Sequence, residues 1–300
     1  MQTVTAQQAR TGSLAIFFSA SAWGLFWLPM RYFDDSGLTA LWAVAAINIA
    51  ASIVAVPIAL WKREITSENF RWLAIIGAGM GISNVLYFSG LILSDVIRVT
   101  FLFYLMPIWA TLFSKLIFNV TIGPIRMIAV SLAFFGIWLL LGDGGLPIPQ
   151  NLGDVFGLLS GLGWAFGLTM IRGKVDTGGF GTAAMVCSFA VFIAIALGLV
   201  LHNTVPEVQP ALPPLETIYP IILPVLAFGS LIMWPTLVGQ TWGSQFVMST
   251  TAAILTMSEI MVATLSSTFL EGNNMSLLAW MGGACIVAAI FVDLFASKDA

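Results

Sequence analysis

Charge is what this sequence most lacks: Lys, Arg, Asp and Glu make up 8% of its 300 residues, against about a quarter in an ordinary soluble domain. A surface that poor in charge cannot face water over its whole area, which excludes a soluble enzyme or binding module. Histidine is represented by His202 alone, and the cysteines by Cys187 and Cys285, both inside apolar runs. This inventory offers neither a disulfide framework nor a metal cluster, and the two cysteines read as small packing residues. A net charge of -3 and a pI near 5.0 leave no basic face for nucleic acid. No metal, cofactor or nucleic-acid partner is therefore expected.

What the chain does have is apolar length. Hydrophobic residues reach 59% and the mean hydropathy is +0.99, with repeated runs of about 20 residues, enough to cross a hydrocarbon core. Backbone groups in lipid must be satisfied within each segment, and the runs do not alternate as barrel strands would, so they are expected to be α-helices. Arg10, the run that follows it and Ala20-Ser21-Ala22 have the outline of a signal peptide and its cleavage site. The run continues past that site, so the start reads as the first membrane helix. Breaks at Asp34-Asp35, Trp61 to Glu64, Gly142 to Gly145 and the proline-rich 205–214 stretch divide the chain into ten helices, at 12–31, 38–61, 71–92, 97–118, 123–141, 153–172, 180–201, 216–240, 246–269 and 275–295. The fold class is thus an all-α integral membrane protein. With the N-terminus inside, Arg10, Lys62, Arg63, Arg71, Lys115, Arg126, Arg172, Lys174 and Lys298 fall on the cytoplasmic side, and only Arg31 and Arg98 outside. That asymmetry predicts both termini in the cytoplasm.

The chain repeats itself. Ser19, Trp23 and Arg31 follow one another by four and eight residues, and so do Ser160, Trp164 and Arg172. Two halves of five helices, residues 1–145 and 146–300, account for this. Because five is odd, the second half enters the membrane from the opposite side, and the two are inverted copies. A second correspondence concerns the fourth helix, where Thr100, Tyr104, Pro107, Thr111 and Ser114 share one face. Adding 152 to each gives Ala252, Thr256, Glu259, Ala263 and Ser266 on the ninth. Small and hydroxylated residues on one face also serve close helix packing, but packing does not ask for Tyr104 or Glu259. Matched polar stripes in inverted halves are what a transporter presents at the membrane midplane.

The candidate ligand groups are largely aromatic. Trp23 and Trp27 share a face of helix one, and Met80, Asn84 and Tyr87 lie on helix three. Helix four carries Tyr104 and Pro107, helix six Trp164, helix eight Trp234 beside Pro235, and helix nine Thr256 and Glu259. Rings with a few amides and hydroxyls suit a flat apolar ligand with a polar handle. Trp27, Trp42, Trp61, Trp72 and Trp280, near helix ends, read instead as interfacial belt residues. Pro107 is the proline placed to open a helix onto the stripe. Glu259 is the one acid near mid-membrane, where a carboxylate costs about 2.5 to 3.5 kcal/mol. Three roles stay open for it: a protonated hydrogen-bonding group, a contact for a substrate ammonium, or a proton-coupling site.

Trp23-Gly24 with its echo at Trp164, the run Leu105-Met106-Pro107-Ile108-Trp109, and Phe269-Leu270-Glu271-Gly272 closing helix nine together resemble the drug/metabolite transporter superfamily in its ten-helix EamA-type branch. The resemblance spans nearly the whole chain, and within the branch it is greatest to bacterial exporters of aromatic amino acids. It implies outward movement of Phe, Tyr, Trp or related compounds across a bacterial inner membrane by alternating access, through a cavity between the halves. Other metabolites or drugs are the alternative cargo. The partners implied are this small-molecule substrate and membrane lipid, with a monomeric chain. The sequence departs from the branch at Asn119, where the first half usually carries an acid, and at Glu259, where the second half often carries an apolar residue or Pro.

Rival classes lack their residues. An intramembrane enzyme needs paired acids, a His cluster or a Ser/His pair, and a channel needs rings of charge or a carbonyl filter. Inversion makes its own prediction. Cysteines placed at Ser36 and Lys174 should react with a membrane-impermeant maleimide from opposite sides of the membrane. Labelling of both from one side would remove the inverted arrangement.

Overall fold

The computed structural model describes residues 4–141, 148–271 and 276–296. Its first five spans are α1 (Ala6–Trp23) with α2 (Trp27–Asp35), α3 (Ala40–Trp61), α4 (Phe70–Leu93), α5 (Val96–Phe103) with α6 (Met106–Phe118), and α7 (Pro124–Leu141). The sixth and seventh are α8 (Leu152–Lys174) and α9 (Phe180–Thr204). The eighth joins α10 (Leu215–Ile218), a 3-10 turn (Tyr219–Ile221), α11 (Ile222–Phe228), a π turn (Gly229–Met233) and α12 (Trp234–Gly243). The ninth is α13 (Ser249–Thr256) with α14 (Ser258–Glu271), and the tenth is α15 (Leu277–Ala296). Among the described residues nine spans are long and apolar enough to cross a membrane, and Pro124–Leu140 is a shorter apolar helix. The Gly142 to Gly145 break, Gly272 and Lys298 lie outside the described residues.

The first span is longer than its apolar run. Thr5 and Gln8 form a capping box that satisfies the first amides of α1, so the helix begins in polar sequence that hydropathy alone passes over. At the other end the helix runs through Asp34 and Asp35 and turns at Gly37, whose φ of 86° is costly for a residue with a side chain.

Three spans are interrupted where one helix was expected in each. Pro29 has no N–H for the Leu25 carbonyl, which is bonded instead by Leu28 in a tight three-residue turn at 3.1 Å. Pro107 likewise leaves the Phe103 carbonyl without its helical donor. The ninth span breaks at Met257, 152 positions after the Leu105 of the fourth-span break. No proline stands there; Met257 and Ile260 each bond three residues back, at 3.1 and 3.2 Å. The two breaks therefore occupy equivalent places in the two halves.

Packing pairs the spans as an exchange of halves would. The third span packs on the sixth and the eighth on the first; the third packs on the seventh and the eighth on the second. The second and seventh, fourth and ninth, and fifth and tenth spans pair with one another. The fifth and tenth meet backbone to backbone: a Cβ at Gly136 would lie 2.8 Å from the Gly282 carbonyl, and one at Gly282 would lie 2.5 Å from that of Gly136. The same pair of spans buries an ion pair, Arg126 Nε to Asp293 Oδ1 at 3.1 Å, with the side chains 5% and 1% exposed. At the opposite end Asp154 ties the α4–α5 corner to α8. It accepts from the Ser94 hydroxyl and from the Gln150 amide at 2.9 Å, and pairs with Arg98 Nε at 3.4 Å.

On α8, Gly161 is the glycine held closest to the backbone of another span. A Cβ there would sit 2.3 Å from the Phe103 carbonyl oxygen, whereas nothing lies within 4 Å of the same position on Gly283. Gly161→Ala should therefore destabilise the purified protein by about 1–3 kcal/mol, and Gly283→Ala by no more than about 0.5 kcal/mol, as read by thermal melting in detergent. Equal effects would contradict the packing described.

Candidate functional site

The interruptions bring aromatic and polar side chains together between the spans. Trp23 ends α1, and its ring centroid lies 5.4 Å from that of Trp164 on α8. The two members of the repeated Ser–Trp–Arg pattern thus touch across the bundle. Trp23 Nε1 donates to Thr236 Oγ1 on α12 at 2.8 Å, and Phe26 stacks on the Trp23 ring at 5.6 Å. Trp164 is 2% exposed, and its Nε1 finds no acceptor. Trp27, read from sequence as a belt residue, donates from Nε1 to Ser266 of α14 at 3.0 Å, joining the outer parts of the first and ninth spans.

Gly24 brings the first span onto the acid. A Cβ on Gly24 would lie 2.3 Å from the Glu259 carbonyl oxygen, so the α1–α2 break is pressed against the first turn of α14. Tyr104, at the fourth-span break, and Tyr87 both lie within electrostatic reach of the Glu259 carboxyl. Tyr87 also shares a hydrogen bond with Thr100 at 3.3 Å, and its ring lies 4.7 Å from that of Phe103. Phe103 in turn sits 5.0 Å from Tyr104. Tyr104 is 2% exposed, whereas Trp23, Tyr87 and Glu259 keep part of their surface accessible in the middle of their spans.

Thr256 lies one turn before Glu259. Its hydroxyl donates to the Ala252 carbonyl at 2.8 Å, so it must accept from Gln240 Nε2 at 2.7 Å. This fixes the orientation of the Gln240 amide and leaves Gln240 Oε1 buried without a donor, as is Asn84 Oδ1 on α4.

Two predicted groups sit elsewhere. Trp234 packs on Phe180 at 5.9 Å, beside Ala55, Ala59 and Ala184. Met80 is fully buried under Gly167. Thr236, two residues past Trp234, is what the eighth span brings to Trp23. The π turn explains the difference, because one extra residue rotates the helix beyond it by about 100°. Pro107 is buried at the start of α6, and its carbonyl accepts the Thr111 hydroxyl at 2.7 Å.

Toward the chain's N-terminal end of the bundle the fourth and ninth spans close on each other. Thr111 and Thr250 hydroxyls lie 3.0 Å apart, and those of Ser114 and Ser249 lie 2.6 Å apart. Thr111 and Ser114 give their own protons to carbonyls four residues back, so Thr250 and Ser249 are the donors across the gap. Among the described residues α5 and α14, the other halves of these spans, share no comparable interface.

Residues 10–142 match the model of the EamA-like transporter family. They cover the first five spans. A solved structure titled only "Crystal structure of protein" shares the fold with a TM-score of 0.68 at 19% identity, over 94% of this chain and 97% of that one. No curated protein matches the chain significantly.

The hydroxyl pairs give the closed end a direct test. Ser114→Cys combined with Ser249→Cys should form a disulfide under mild oxidation, since side-chain atoms 2.6 Å apart place the Cβ atoms within disulfide reach of about 3.5–4.5 Å. Failure to cross-link in native membranes would mean that α6 and α13 do not meet there.

Proposed function

We propose that this chain, whose first half is an EamA-like transporter unit, is a multi-pass carrier that exports aromatic metabolites, Phe, Tyr and Trp among them, across a bacterial inner membrane. The observation that supports it most is the contact of Trp23 with Trp164 at 5.4 Å. Two tryptophans at corresponding places of the repeated pattern meet beside the first-span break, and an aromatic ligand would replace their mutual contact with ring contacts of its own. In this reading residues 1–145 and 146–300 are inverted five-helix units. The charge asymmetry then puts both termini, and with them the Ser114–Ser249 contact, on the cytoplasmic side.

Alternating access follows from the same geometry. The halves α6 and α13 are joined by hydroxyl pairs while α5 and α14 share no comparable interface, so in this reading the cytoplasmic side is the closed one. Inward opening would part Thr111 from Thr250 and Ser114 from Ser249. The hinges are the breaks at Tyr104–Leu105 and Met257, which already lack regular helical bonding. Two neutral hydroxyl pairs cost only about 1 kcal/mol each to part, a modest latch.

Other metabolites or drugs are the second reading of the cargo. Counterflow in proteoliposomes, with labelled Phe or Trp set against aliphatic amino acids and lipophilic cations, separates the two. Aromatic amino acids should exchange fastest, and Trp164→Ala and Tyr104→Ala should each lower that exchange about tenfold or more, the loss expected when a buried ring contact is truncated. Equal exchange of aliphatic amino acids would remove the aromatic assignment and leave a transporter of other cargo.

A further inference from the structure

We infer that the site holds its ligand by a protonated amine lodged against Glu259, and that it has no group for the ligand's carboxylate. The inference rests on the transporter reading above and narrows its substrate class to amine-bearing aromatic compounds.

Three observations carry it. First, Glu259 lies in the first turn of α14 against the first-span break, where a Cβ on Gly24 would meet its carbonyl oxygen at 2.3 Å, with Tyr87 and Tyr104 within electrostatic reach of its carboxyl, at the position that the 152-residue offset pairs with Pro107. Second, the described residues supply no cation to that depth. Each described Lys and Arg lies between spans or within about a turn of a span's end: Arg10, Arg31, Arg71, Arg98, Lys115, Arg126, Arg172 and Lys174 all do so, while Lys62 and Arg63 follow Trp61. An ionised carboxylate among rings needs a counter-charge, and here the ligand is its source. Third, an unfilled acceptor is tied to Thr256, one helical turn before Glu259, and α4 carries another, one turn before Tyr87. Gln240 Oε1 is fixed in orientation by the Thr256 bond, and it and Asn84 Oδ1 are both buried without donors. An ammonium brings three donors and no acceptor, and the faces of Trp23, Trp164, Tyr87 and Tyr104 add cation–π attraction. A carboxylate would meet the opposite: one acid, two bare acceptors and no basic side chain. Trp164 Nε1 is the one unpartnered donor among these residues, too little to hold a charged carboxylate.

The test compares three ligands with the same ring. Phenethylamine has only the amine, phenylalanine has both charges, and 3-phenylpropionate has only the acid. Isothermal titration of the full-length protein in phospholipid nanodiscs should rank phenethylamine at least about tenfold tighter than 3-phenylpropionate, the discrimination that one charge-assisted hydrogen bond supplies, with phenylalanine between. Glu259→Gln, of nearly the same shape, should weaken phenethylamine by about tenfold and leave 3-phenylpropionate unchanged. The wild-type ranking needs no variant, so misfolding of Glu259→Gln would not rescue the idea. Binding of the acid as tight as that of the amine, or an unaltered amine affinity in a folded Glu259→Gln protein, overturns the inference. If labelled phenylalanine still exchanges in proteoliposomes, the transporter reading survives that result. If none of the three ligands binds and phenylalanine does not exchange, both fall.

Discussion

Hydrocarbon offers no hydrogen bond to a peptide group, and everything else in this fold answers to that. Each amide must find its partner inside its own helix, so ten apolar runs become ten spans. An interruption is tolerable only where other protein covers it. The chain obeys this at each break. The Phe103 carbonyl, stripped of its donor by Pro107, lies against the bare Cα of Gly161, and Gly24 lets the first-span break settle on the Glu259 backbone. The places where the backbone is least regular are for that reason the places where spans approach most closely, and the aromatic and polar groups gather there.

Around this centre the remaining polar groups divide by task. Asp154, Ser94 and Arg98 fasten the corner between the third and fourth spans to the start of the sixth. Arg126 and Asp293 fasten the fifth span to the tenth, and Arg126 also reaches the Met248 sulfur at the start of α13. The Arg126–Asp293 pair is charged and buried, and losing one partner of such a pair costs about 3–5 kcal/mol; in the other, Asp154 is buried while Arg98 is 29% exposed. The contacts between α6 and α13 are neutral hydroxyls. The strong fastenings thus hold the frame, while the weak ones join α6 to α13.

Much of this could be read from the sequence, and what could not has a physical cause. The spans were legible because apolar length is a direct requirement of the bilayer, and Trp23 with Trp164 because a rare residue recurred at a fixed spacing from Ser and Arg. The break near Tyr104 had a proline to announce it. The break at Met257 had none; its only signal was the 152-residue offset from Leu105. Pro29 was visible, but its consequence at Leu25 was not, because a proline in a membrane helix is common without a break. The neighbours of Trp234 were not legible because hydropathy cannot see a π turn, and it is Thr236, two residues on, whose hydroxyl meets Trp23. Asp154 went unnoticed because an acid at a predicted helix end reads as solvated, whereas here it is 0% exposed.

The proposed repeat is imperfect in a way that bears on energetics. Pro29 has Met170 as its counterpart, 141 positions on, and α8 runs unbroken through that residue; Pro107 has Glu259. Were the halves identical, turning the molecule over would convert one end state into the other, and the two would be equally populated. Covalent differences at these hinge positions lift that degeneracy. In the carrier proposed above, one resting side is consequently preferred even with equal solute on both faces of the membrane, and the forward and return strokes climb barriers of different height.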